Sequence, residues 1–193
     1  MDHHRGTGTT AVYASTARTL HWITAAAIAV MIPLGIAMTW RGNTLNIWDG
    51  VTDTLYSSHK LLGFVVLWLV AARLAYRLVK GAPPDEPTLN RAQRLGSRLV
   101  HWALYGLLLV VPLLGWMGVS LFPALTIFGL FDLPALAAPD EDAAKRVLGL
   151  HGALALLLAG LALIHIAAAL YHHLIRRDGV MARMWVGAGR SRR

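Results

Sequence analysis

The chain has 193 residues, no cysteine, 56% hydrophobic residues and only 15% charged ones, with a formal net charge of +8. Soluble domains carry roughly 25% charged residues, so this composition disfavours a soluble globular domain, a disordered tail and a nucleic-acid binder. Without thiols there is no disulfide, no cysteine-ligated iron–sulfur cluster and no thioether-attached haem; what remains is a small integral membrane protein with nine histidines.

Charge gaps predict the spans. No Lys, Arg, Asp or Glu occurs in the 22 residues between Arg18 and Arg41, the 33 from Leu99 to Phe131 or the 29 from Val147 to Ile175. A helix needs about 20 mainly apolar residues to cross the hydrocarbon core. Spans are therefore expected near 19–40, 98–121 and 147–174. A further apolar stretch, about 58–79, is interrupted only by Lys60, Arg73 and Arg77, whose long side chains can snorkel to the interface. The fold class is an all-α membrane protein, a four-helix bundle forming a single domain over 1–193. Residues 81–90 (GAPPDEPTLN) read as a proline-rich turn. Phe122–Pro139, with three prolines, reads as an interfacial excursion and not a fifth span.

Basic residues set the expected orientation. Fourteen fall on one side, in the N-terminal segment, the second connection and the tail; only Arg41, Lys60, Lys145 and Arg146 fall on the other. Both termini are thus expected in the cytoplasm. The first apolar stretch is longer than the core of a signal peptide, so it is expected to be retained.

His3 and His4 lie in a polar tail and read as solvated. The other seven histidines lie within or at the ends of spans, where ionisable groups are costly and point to function. His151 and His165 are 14 residues apart on the fourth span, about 40° short of four full turns and ~21 Å apart along the axis. They share a face at two depths. His21 enters with the first span near one depth, and His59 with the second span near the other. Two bis-histidine sites follow, His59 with His151 outside and His21 with His165 inside, each able to ligate haem iron between facing helices. Zinc would need a closer tetrahedral set, and a proton relay would favour carboxylates inside the spans. The inner pairing is less sharply specified: His101 and His172 also lie at that end and could each replace a ligand. The depth of His165 favours His21 with His165 and gives His101 and His172 supporting or substrate-binding roles.

Several blocks resemble the prokaryotic cytochrome b561 family: RTLHW at 18–22, SSHKLLG at 57–63, RLAYRL at 73–78, GLFDLPAL at 129–136, the long run from His151 to His173, and RRDGVMARM at 176–184. The resemblance covers nearly the whole chain, although the tail ends in WVGAGRSRR where many relatives continue into a proline. It implies a bacterial inner-membrane, multi-pass cytochrome with two b haems on His21, His59, His151 and His165, exchanging electrons with ubiquinone or another membrane quinone. In some members it implies superoxide oxidation at the outer face, so a superoxide:quinone oxidoreductase is one concrete form. The rival is a haem-bearing anchor subunit of a dehydrogenase or hydrogenase complex, which the short loops disfavour. A histidine-lined metal or proton transporter would show no haem absorbance. The sequence names no outer electron donor or acceptor, and leaves open a partner subunit or a homodimer.

Arg73 and Arg77 share a helix face near the inner site and could pair with haem propionates or a quinone carbonyl, or snorkel to headgroups. Lys60, beside His59, could neutralise a propionate or attract an anion, but reads first as an interfacial anchor. Trp22, Trp40, Trp48, Trp102 and Trp116 read as interfacial belt residues.

Overall fold

The computed structural model describes residues 12–185. His3, His4, Arg5, Arg190, Arg192 and Arg193 lie outside the described residues. Four long helices run in alternating directions: α1 (Ser15–Thr39), α2 (Gly50–Lys80), α3 (Arg91–Leu121) and α4 (Glu141–Tyr171). All four are long and apolar enough to cross a membrane. One turn of π-helix extends α1 over Trp40–Thr44, and another extends α4 over His172–Arg176.

Each of the last three helices starts where polar chemistry can satisfy its orphan N–H groups. Asp49 caps α2 by accepting from the Thr52 N–H (2.9 Å). Asn90 and Gln93 form a reciprocal capping box on α3, and Asp140 accepts from the Ala143 N–H (2.9 Å) on α4. Glu141 and Asp142 then place negative charge in the first turn of α4, where the helix dipole favours it. These caps explain why the helices exceed the expected spans: α2 begins at Gly50 and α4 at Glu141, because charge gaps find only the stretch that crosses hydrocarbon. Pro33 and Pro112 both sit inside helices, as membrane helices tolerate.

The backbones pack α1 on α2, α2 on α3 and α3 on α4, while α4 has few close backbone approaches to α1 or α2. The described core is a mid-level plug of Val66, Val70, Leu108 and Leu158, backed by Ile28, Met31, Leu62 and Tyr105. Most other large apolar side chains, such as Ile36, Leu156 and Leu163, face outward, an arrangement suited to lipid and not to water.

Different chain segments close the two ends. At the end bearing His59, the 122–139 connection makes a small antiparallel hairpin, β1 (Thr126–Ile127) with β2 (Phe131–Asp132). Ile127 is fully buried, and Ser57 Oγ accepts from the Phe128 N–H (3.1 Å). At the end bearing His21, residues 177–185 fold back as a strap. Trp22 Nε1 donates to the Met184 carbonyl (2.8 Å) and Arg18 to that of Trp185 (2.8 Å). Arg183, itself buried, donates to the Pro84 carbonyl. Residues 81–90 form the loop that the strap grips, and Arg176 also donates to its Thr88 carbonyl (3.2 Å).

Candidate functional site

Two levels of paired histidines occupy the bundle. At the hairpin end, α2 and α4 bring His59 and His151 together edge-on, with ring centroids 6.1 Å apart and planes at 86°. His151 Nδ1 lies 2.8 Å from the Val111 carbonyl. A carbonyl only accepts, so Nδ1 carries the proton and Nε2 holds a lone pair. At the strap end, α1 and α4 bring His21 and His165 to a centroid separation of 6.2 Å. The apolar plug around Leu158 stands between the two levels.

The residues fit haem iron. Two imidazoles on opposite faces of one metal ion, at about 2.0–2.1 Å each, hold their ring centres roughly 6–6.5 Å apart. Both pairs fall at that spacing. His59 Nδ1 and His21 Nδ1 are buried without a hydrogen-bond partner, which is costly for a polar atom in an apolar interior. Among the described residues they mark rings whose setting is completed by a bound group. A cavity of about 1160 Å³ surrounds the His59–His151 level and reaches Trp116, Lys60 and Lys145. Glycines make room for the rings: a Cβ at Gly35 would sit 3.1 Å from His59 Cε1, and one at Gly115 would sit 3.0 Å from His151 Cε1. Among the described residues no three His, Asp or Glu side chains cluster tightly enough to hold a bare metal ion. Pairs are therefore the unit.

The strap end holds a third imidazole. His101 lies 5.2 Å from His165 by ring centroids, short of the spacing for two ligands across one iron. Its Nδ1 faces the Ser97 carbonyl at 2.7 Å. Arg73 reaches the same region, its guanidinium 5.1 Å above the Tyr105 ring. His172 pairs with Asp178, Nδ1 to Oδ2 at 2.6 Å. Burial pushes the Asp178 carboxyl up, but hydrogen bonds from His172 and the Val180 N–H, with the charge of Arg176 beside it, more than reverse that and hold it below its ordinary value. Arg77 lies near Arg73 and His101 but among the described residues makes no hydrogen bond or ion pair with this group. Lys60 takes neither a free nor a purely interfacial place: its ammonium donates to the Ala124 carbonyl (2.9 Å) and to that of Thr126, tying the hairpin to α2. Trp116 likewise donates to the Pro134 carbonyl (2.8 Å).

Sequence reasoning missed Gly35, Gly115 and the Val111 carbonyl, because a close approach across two helices leaves no local pattern. It also missed Asp178 as a partner of His172. The signal was there in the histidine–aspartate spacing of the final block, but reading it required the turn that follows Arg176.

Four apolar helices with stacked histidine pairs define a class, the multi-helix membrane cytochromes built on paired imidazoles. The chain belongs to the prokaryotic cytochrome b561 family, whose pattern it matches over residues 12–187. It is 30% identical over 179 residues to cytochrome b561 homolog 2 of Escherichia coli K12, covering 92% of this chain and 93% of that one. It is also 27% identical over 169 residues to cytochrome b561 homolog 1 of the same organism, covering 86% and 92%. Membership implies b-type haem, transmembrane electron transfer and a multi-pass bacterial membrane location.

Proposed function

We propose that the protein carries electrons across the membrane through two b haems, one on His59 and His151 and one on His21 and His165, and exchanges them with membrane quinone. The observation that carries this reading is the repeated pair: two facing imidazole couples at matching spacing, one at each end of the bundle. Bound haem supplies reversible one-electron chemistry, and the protein sets its spacing and surroundings. His151, held by the Val111 carbonyl, keeps its ring fixed, as a second hydrogen bond on a metal-bound histidine does. The plug around Leu158 keeps water and lipid from the middle of the path. By the asymmetry of basic residues, the strap end faces the cytoplasm and the hairpin end faces outward.

At the strap end, His172, His101, Arg73 and Arg77 are the groups for quinone. A histidine ring donates to a quinone carbonyl when its free nitrogen is protonated and accepts from a quinol hydroxyl when it is not, so it can exchange a proton near neutral pH, and a cytoplasmic site has protons at hand. Superoxide is the outer donor we favour. It is an anion, and two lysines line the outer cavity: Lys60, held by the hairpin carbonyls, and Lys145, paired with Glu141 and Asp142. Two superoxide ions would yield two dioxygen molecules and two electrons, which with two protons convert one quinone to quinol.

A pyridine haemochrome assay on protein purified from its membrane should return two acid-acetone-extractable haems per chain; one haem, or haem that resists extraction, rejects the two-site reading. His172→Ala and Arg73→Ala should keep both haems and their dithionite reduction while slowing exchange with a quinone analogue. Parent-like rates in both would move the quinone site to the connection between Leu121 and Pro139.

A further inference from the structure

Asp178 is a carboxylate with a side chain only 6% exposed, and it caps no helix. The local chain explains how it is placed. The α4 backbone relaxes into a π-turn over His172–Arg176, and Arg177 then takes the left-handed conformation (φ 51°). That reversal swings Asp178 back onto the histidine that opened the turn. Its Oδ2 meets His172 Nδ1 at 2.6 Å and Arg176 Nε at 3.4 Å, while Oδ1 accepts from the Val180 N–H at 3.1 Å.

An ionised carboxylate can only accept hydrogen bonds. His172 Nδ1 must therefore carry the proton, and in the neutral ring Nε2 is left as a bare lone pair. Among the described residues Nε2 has no hydrogen-bond partner, and the His172 side chain is 13% exposed. His172 sits seven residues beyond His165, ~10 Å further along the helix axis.

We infer that Asp178 is a positioning residue that locks His172 in the Nδ1–H tautomer, so that Nε2 accepts a hydrogen bond from a quinol hydroxyl. This rests on the quinone reading of the strap end given above. A quinol has a proton to donate to Nε2; a quinone carbonyl has none. The same atom therefore favours the reduced form, and the preference comes from what the site withholds as well as from what it offers.

Asp178→Asn is the decisive variant. The Val180 N–H holds the amide oxygen at the Oδ1 position, so the NH2 group must face His172 Nδ1. That nitrogen then has to accept, and the ring proton moves to Nε2. The protein, loaded with haem and held in lipid nanodiscs, is labelled with ¹⁵N-histidine, and the ring nitrogen shifts report the tautomer directly. Expected is an Nδ1–H ring in the parent and an Nε2–H ring in Asp178→Asn. The quinone, which the parent ring could not bond, now accepts from Nε2–H, while a quinol hydroxyl can still accept in place of donating; the ratio of quinone KM to quinol KM should therefore fall about tenfold, the worth of one hydrogen bond, with haem spectra and dithionite reduction unchanged. Asp178→Glu, which keeps an acceptor, should retain the Nδ1–H ring and the parent's preference for quinol. An Nδ1–H ring in Asp178→Asn, or an unchanged ratio of the two KM values with the proton moved, overturns the inference. His172→Ala separates it from the reading beneath: a parent-like quinol KM and rate there defeats the strap-end quinone site itself, whereas a loss there with no effect of Asp178→Asn defeats only the role of Asp178.

Discussion

At the hairpin end, each imidazole comes from a different helix, a glycine opposes each ring, and the enclosing chain is the α3–α4 connection beside them. At the strap end, three imidazoles crowd one level, and the enclosing chain arrives from residues 177–185, more than 150 residues from the α1 groups it grips. The first arrangement leaves one way to pair the ligands. The second offers a spare histidine and depends on long-range contacts. One bundle thus holds a tightly specified site and a more adaptable one, and the adaptable one lies where substrate chemistry is proposed.

Removing ligands should break the symmetry between the ends, with the largest effect of any change. His59→Ala and His151→Ala should each reduce haem from two to one per chain, leaving the other spectral component intact. His165→Ala should remove the strap-end haem completely, since His165 lies between two other imidazoles. His21→Ala should retain a fraction of that haem, because His101 stands 5.2 Å from His165 and can move outward to the ligating spacing. Haemochrome content and reduced-minus-oxidised spectra check all four. Equal losses in His21→Ala and His165→Ala would show that His101 cannot stand in.

The glycine cradle is the next test. Gly115→Val would drive carbon into a ring already 3.0 Å from the first added atom, and the ring must leave its hydrogen bond to Val111 to give way. Loss of the hairpin-end haem with the other retained is expected. Gly106→Val, on the same helix but with nothing within 4 Å of its added Cβ, should keep both haems.

How much of this was legible beforehand follows from the range of each interaction. The spans were legible because desolvating a charge is costly over a whole helix length, and that cost writes itself as gaps. The two depths marked by His151 and His165 followed from helical rise alone, since one straight α4 fixes both. The choice between His21 and His101 was not legible: both lie at the same depth, and only the distance across the gap between helices separates them. The bond from Lys60 to two hairpin carbonyls was equally hidden, because nothing local to 57–63 shows where residues 124 and 126 fold.

The enclosing segments should differ in what their anchors are worth. Arg183 is 8% exposed and hydrogen-bonds the Pro84 carbonyl. Arg183→Ala should lower the stability of the strap end by about 2 kcal/mol, the worth of a hydrogen bond to a charged group, read as a lower temperature of haem release from that end. Lys60→Met strands two carbonyls at a half-exposed site that water can reach. It should cost about 1 kcal/mol, confined to the hairpin end. If either variant weakens both ends alike, the ends are not independent.

The smallest effect separates the two carboxylates by their surroundings. Asp49 accepts from the Thr52 N–H and pairs with Arg41 at 2.8 Å, and these partners hold its carboxyl below the ordinary value of 3.8. A depressed value means that its contribution is fully present above about pH 4 and is lost as pH falls through the lower folded-state value. The pair is open to solvent, so salt should screen it. Asp49→Asn keeps a good cap for α2 but removes the charge opposite Arg41. We expect a slight loss of stability at neutral pH, visible in low salt and absent in high salt, and a flatter acid limb below pH 4. Asp178, buried against His172 and Arg176, should keep its effect on strap-end stability at the same high salt. Thermal melts at two ionic strengths decide the matter: equal salt sensitivity of Asp49→Asn and Asp178→Asn would mean that water reaches the turn after α4 as freely as it reaches the start of α2.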